Sequence, residues 1–434
     1  MDDTQNKINL FFRSDHSICL FFLICMYMLF FEEPLAWHGI SVISVFRNLL
    51  PLAAIPLFIH SIPEKTSWAA LFRNPYMVCG IVFIVSGLAG WVMNHYQTFS
   101  ITVRSLYEHI RFWLSLYVFI CAGRRLDLKK NGTRLFVHTA CLTAFLFVLT
   151  VMDMVFHIWP RQMYRYGTSS IQLFFGHPSN LGARAVFLIG MLCLLFPFLP
   201  SAAAGKRTAP LRILDILLTF CSLGIVTQTL RVRLFGLTLI FLILFVWMII
   251  LKKKLHLPVL AAGIAGMLLI GGRRLYDFYF SPYASTMARG QFAINSLDIA
   301  RQYFPFGSGF GTFGSRMAQI HYSPLYYKYE MMLIPGLSPQ HPNFACDTFF
   351  PMLLGESGWL GLAAYLGLLL TLTLSVFCYQ KKARGTAASA HFVFTAFILL
   401  AYELLESTGT LAFSEIYSVL IALALGLVFS QMRP

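Results

Sequence analysis

Charge is what this sequence has least of. Only 12% of its 434 residues are Asp, Glu, Lys or Arg, where soluble domains run near a quarter, and so little charge excludes a soluble globular protein. Acid is scarcer than base, with 18 Asp and Glu against 33 Lys and Arg and a formal charge of +15. In a soluble chain that surplus would point to nucleic acid; here no nucleic acid is expected, because the basic residues must first be sorted by membrane side. The nine cysteines lie mostly inside apolar runs without CxxC spacing, which offers neither a disulfide framework nor a zinc site. Asp277, Asp298, Glu330, Asp347 and Glu356 are scattered, so a divalent metal finds no clustered carboxylates and no metal or cofactor is expected. A small-residue cleavage site after the first apolar segment is missing too, which predicts an uncleaved first helix.

What the chain has in abundance is apolar length. Hydrophobic residues make up 58% of it and mean hydropathy is +0.69. Stretches of about 17–25 apolar residues recur, each able to cross a hydrocarbon core of about 30 Å. They predict an all-α polytopic membrane protein of about twelve transmembrane helices, near 17–32, 41–60, 77–93, 105–121, 135–156, 181–199, 213–229, 234–251, 255–271, 350–378, 391–409 and 413–432. Every second connection is basic: Lys65 and Arg73, then Arg124 to Arg134, then Lys206, Arg207 and Arg212, then Lys252 to Lys254, then Lys381, Lys382 and Arg384. These share a side with Lys7, Arg13 and Arg433, which the positive-inside rule makes cytoplasmic, with both termini.

One connection is long. About 75 residues, 272–349, separate a nine-span bundle (1–271) from three C-terminal spans (350–434), and long loops in compact proteins are usually functional. On the same outward side the cations are nearly all arginine, whose planar fork engages phosphate oxygens bidentately. Arg231 and Arg233 interrupt the junction TQTLRVRLFG, Arg165 lies in the outward loop 157–180, and Arg289 begins a stretch whose apolar spacing predicts an external amphipathic helix ending before Pro305. FGSGFGTFGS (306–315) either turns successive N–H groups toward an anion or packs a compact turn against the bundle. His321 and His341 are candidate bases near neutral pH. Asp347 is either a base or the cap of the tenth span. Glu356, inside that apolar span, requires a basic or hydroxyl partner. Tyr322 and Tyr326 either stack on sugar rings or form an interfacial belt.

The order of these features resembles a family. The mid-chain arginine junction, the late outward loop with FGSGFGTFGS, and DTFFPMLLGESG leading into a helix look like the O-antigen ligase and Wzy-type polysaccharide polymerase superfamily, closer to its polymerases. The resemblance implies a GT-C-like, metal-independent glycosyltransferase on the periplasmic face of the bacterial inner membrane. Such enzymes move a glycan from undecaprenyl diphosphate to the terminal sugar of another lipid-linked repeat unit, or, in the ligases, to lipid A core. It places the diphosphate on Arg231, Arg233, Arg289 and Arg165, and the acceptor sugar near Tyr322, Tyr326, His321 and Glu356. Ligases carry a histidine about nine residues before the glutamate of E-x-G; here that position is Asp347, with His341 six residues earlier, so both are candidates for the base. Membrane lipids, a chain-length regulator and a flippase are the expected partners. From another class, a twelve-span transporter or flippase has the same hydropathy, but its usual internal repeats are not visible.

Overall fold

A computed structural model describes residues 15–40, 42–61, 74–161, 164–165, 167–199, 209–383 and 387–432. Lys7, Arg13, Lys65, Arg73, Lys206, Arg207, Arg384 and Arg433, used above to orient the chain, lie outside the described residues. Each of the twelve apolar segments is helical. In chain order they are α1 (Asp15–Phe30), α2 (Val42–His60, with one 3-10 turn), α3 (Pro75–Asn94), α4 (Phe99–Gly123), α5 (Leu128–Phe156), α6 (Pro178–Leu195), α7 (Ala209–Gln228), α8 (Val232–Leu244, continued by a π turn) and α9 (Leu257–Tyr279). After α10 (Ala288–Gln302), in the long connection, come α11 (Phe349–Lys382), α12 (Ala387–Glu406) and α13 (Ser418–Gln431). Among the described residues eight are long and apolar enough to cross a membrane, namely α2, α3, α5, α6, α7, α8, α11 and α12, while α1 and α13 are shorter apolar helices. The chain is a multi-pass membrane protein.

Position in the bundle follows from how apolar each helix is around its circumference. In α6 every residue but Asn180 is buried, as expected of a helix without a polar face, and it packs against α5, α7, α12 and α13. α13 is buried almost throughout and lies along α4. α11 packs along α3, and α8 along α9.

The long connection is folded. α10 ends three residues before Pro305, as the spacing predicts, and its Phe292 packs edge-on against Phe313 at 5.1 Å. These two join Ile299, Leu325, Tyr326 and Leu337 in a small core separate from that of the bundle. α9 runs on to Tyr279, so the expected boundary at 272 falls within a helix.

α11 is two helices joined across a kink. Gly358 sits at φ +64°, ψ −169°, a conformation open to glycine but strained for other residues, and a Cβ there would lie 2.2 Å from the Pro305 carbonyl oxygen. The interruption releases carbonyls from the helical ladder, and the glycine-rich run takes them up. Ser308 N–H donates to the Gly355 carbonyl and Gly309 N–H to that of Glu356, both at 2.9 Å.

Candidate functional site

The arginines that the sequence assigns to the outward side divide into two groups. Several are held in ordinary ion pairs: Arg47 with Glu32, Arg161 with Asp153 at 3.2 Å, Arg184 with Glu33 at 3.6 Å and Arg316 with Glu415 at 3.5 Å. Others converge. Arg231 is the N-cap residue of α8, and Arg233 lies in its first turn. Arg233 Nη1 donates to the Glu406 carbonyl at 2.8 Å and lies 3.4 Å from the Glu406 carboxylate, at the end of α12. Arg289, from the first turn of α10, reaches Asp347 Oδ2 at 3.1 Å and the Gly409 carbonyl at 3.5 Å. Gly409 is where the two guanidiniums meet, since a Cβ on it would stand 2.9 Å from Arg233 Nη1 and 3.1 Å from Arg289 Cζ. The Arg289 guanidinium also lies over the Phe278 ring at 4.7 Å, and Tyr279 Oη donates to the Thr408 carbonyl at 3.2 Å, so the end of α9 closes one wall.

Arg231 is the least satisfied member. Among the described residues it makes no ion pair; its Nη2 donates to Nε2 of His177, the residue that caps α6, and its buried Nε has no acceptor. Burial and then the charges of Arg231 and Arg233 pull the His177 pKa down to about 4, which keeps the ring neutral and able to accept. Burial and the neighbouring Arg233, with Arg165 and Arg289 adding smaller repulsions, lower Arg231 to about 10. Arg165 comes from the antiparallel hairpin Tyr164–Arg165/Thr168–Ser169, paired opposite Thr168. Half-buried guanidiniums that raise one another's energy, with one buried donor left unpaired, make a site that an anion would relieve.

At the edge of this cluster stands Asp347, two residues before α11. Burial raises its pKa, against the opposing pull of Arg289, Arg233 and Arg231. It is oriented by Arg289 yet partly open, with 29% of its side chain exposed. His341 is exposed; its backbone N–H bonds to the Ser338 carbonyl, and among the described residues its ring has no hydrogen-bond partner. His321, also exposed, caps the short helix Arg316–Ile320.

One open alternative is settled, in favour of the packed turn, and two expectations are corrected. The glycine-rich N–H groups do not face an external anion: besides the two bonds to α11, Phe313 N–H donates to Glu356 Oε1 at 3.1 Å and Gly314 N–H to Tyr326 Oη at 2.9 Å. The anion in that turn is the protein's own. Glu356, expected at the acceptor, is wholly buried; it also takes the Ser315 hydroxyl at 2.6 Å and His109 Nε2 at 2.9 Å, the partners its position required. Tyr326 is 1% exposed and belongs to the small core, so it has no face for a sugar. Tyr322 is half-buried, with its hydroxyl donating to the Leu337 carbonyl at 2.6 Å. Sequence reasoning missed His177, Glu406 and Gly409. The HPSN start of α6 carried a cap signal for the first; nothing local marked the other two.

No family model matches the chain, and no curated protein matches it.

Proposed function

We propose that this chain is a lipid-linked polysaccharide polymerase. It transfers a glycan from undecaprenyl diphosphate to the terminal sugar hydroxyl of another lipid-linked repeat unit, on the periplasmic face of the bacterial inner membrane. The carrying observation is the meeting of Arg233 and Arg289 at Gly409, with Arg231 close enough to feel both charges and a half-buried Asp347 bonded to Arg289. In the transfer the bond from the anomeric carbon to the diphosphate oxygen breaks, and a bond from the same carbon to the acceptor oxygen forms. The arginines stabilise the negative charge that develops on the departing lipid diphosphate, and the Asp347 carboxylate takes the acceptor's proton. A base must be positioned before its pKa matters, and the Arg289 bond that orients Asp347 favours it over the unpartnered His341 ring. In this reading twelve helices cross as a GT-C-like bundle with both termini cytoplasmic, the arginine cluster and α10 being periplasmic and the lysine-bearing connections cytoplasmic, as the positive-inside rule favours.

The test is reconstitution of the purified chain in liposomes with a labelled lipid-linked repeat unit and no ion gradient. The polymerase gives a ladder of longer lipid-linked products; a transporter moves label without changing its length, and a ligase elongates nothing until lipid A core is added.

A further inference from the structure

At the opposite end of the bundle from the arginines is a cavity of about 270 Å³. Lys252, Lys253 and Lys254 edge it, with Gln380, His391 and the apolar side chains of Met248 and Val393 inside. No carboxylate lines it, and among the described residues none of the three lysines makes an ion pair.

The lysine turn is fixed in place by backbone contacts. Trp247 Nε1 donates to the Lys254 carbonyl at 2.8 Å, and Lys253 N–H to the Trp247 carbonyl at 3.0 Å. The side chain of Gln380, near the end of α11, grips Leu255 on both sides: its Oε1 accepts from the Leu255 N–H at 3.1 Å and its Nε2 donates to the Leu255 carbonyl at 2.9 Å. Lys253 Nζ lies 4.7 Å over the Trp247 ring. Tryptophan beside lysine marks headgroup depth, so the cavity opens where phospholipid headgroups lie. His391 donates from Nδ1 to the Cys193 carbonyl at 3.2 Å, which leaves Nε2 as the ring position able to accept from a ligand hydroxyl. Val246, Ile250 and Leu251 continue from the turn as an exposed apolar strip along which acyl chains can lie.

We propose that this cavity binds the phosphoglycerol headgroup of an anionic phospholipid. The lysines take the phosphodiester charge and the polar interior takes the glycerol hydroxyls. Basic pockets between membrane helices bind anionic headgroups by the same chemistry. The site is independent of the transfer reaction.

Native mass spectrometry of the detergent-purified chain, offered phosphatidylglycerol and phosphatidylcholine together, tests it. Selective retention of phosphatidylglycerol is expected, with at least a tenfold loss in the Lys252→Gln/Lys253→Gln/Lys254→Gln variant. Retention should be unchanged in Lys129→Gln/Lys130→Gln, which removes two lysine charges elsewhere, and after millimolar inorganic phosphate is added. Equal retention of both lipids, full retention by the triple variant, loss in the Lys129/Lys130 variant, or displacement by inorganic phosphate would overturn the proposal, the last by making the cavity a free-anion site.

Discussion

Removing the Glu356 carboxylate should unfasten the long 280–348 connection while leaving the bundle folded. Glu356→Ala deletes the acceptor for Phe313 N–H, for Ser315 Oγ and for His109 Nε2. All of these are buried, so water does not replace it. An unsatisfied buried donor costs about 1–3 kcal/mol, and breaking a buried charged pair about 3–5 kcal/mol. The two Ser308 and Gly309 backbone bonds to α11 remain, so about 3 kcal/mol of local opening is the expected loss, which corresponds to a factor of about 100 in the open population. Glu356→Gln keeps an oxygen for Phe313 and Ser315 but turns its amide NH2 toward His109 Nε2, so one acceptor is lost and its effect should be about tenfold. The assay is limited trypsin digestion at exposed Lys328 in the long connection, under conditions where cleavage reports the open population, with retention of bundle helicity as control. Cleavage of Glu356→Ala at the unmutated rate would refute the argument that this carboxylate holds the glycine-rich turn.

The remaining predictions concern the arginine site and the helix break. Arg231→Lys, Arg233→Lys and Arg289→Lys should each lose most polymer in the liposome assay, because lysine lacks the planar fork, whereas Lys129→Gln should keep it; full activity in all three would sink the diphosphate clamp. Asp347→Asn should abolish polymer and His341→Ala only weaken it, with the rate of the unmutated chain rising with pH as the raised Asp347 carboxyl ionises; an active Asp347→Asn beside a dead His341→Ala would reverse the assignment. His177 is held neutral with its pKa near 4, below the ordinary value of about 6.5, so the unfolded chain takes up the proton first and acidification from about 6.5 toward 4 penalises the folded site; thermal stability across that window should fall less in His177→Gln. Gly358→Ala should fail to accumulate as folded protein, since its Cβ meets the Pro305 carbonyl at 2.2 Å, while Gly224→Ala, with nothing within 4 Å, should be silent when both are followed by size-exclusion profile.

Elements with a strong local pattern were legible from sequence. The twelve apolar segments became helices because apolar length is itself the signal, and α10 followed from its spacing up to Pro305. Arg231, Arg233 and Arg289 could be singled out because arginine was the exception in an apolar setting. What joined them was not legible: Glu406 and Gly409 lie more than a hundred residues away along the chain, and a pairing across that distance leaves no local periodicity. Glu356 shows the limit of reasoning from a motif. Its need for a partner was readable from its apolar surroundings, but not that the partners would be the long connection's own N–H and hydroxyl groups. The glycine-rich run was ambiguous for the same reason, since glycines serve close packing and anion cradles alike.

The break at Gly358 also decides where this molecule can be cut and rejoined. By sequence the natural seam between the long connection and the last three spans lies between residues 349 and 350, where the apolar run begins. Yet the turn of α11 from Phe349 to Ser357 is bonded to the glycine-rich run through the Gly355 and Glu356 carbonyls and the Glu356 side chain, and helical geometry resumes only after Gly358. A chimera that imports a foreign 280–348 segment must therefore carry its own first turns of α11 across with it. The junction belongs on the far side of residue 358, inside what hydropathy marks as a single membrane helix.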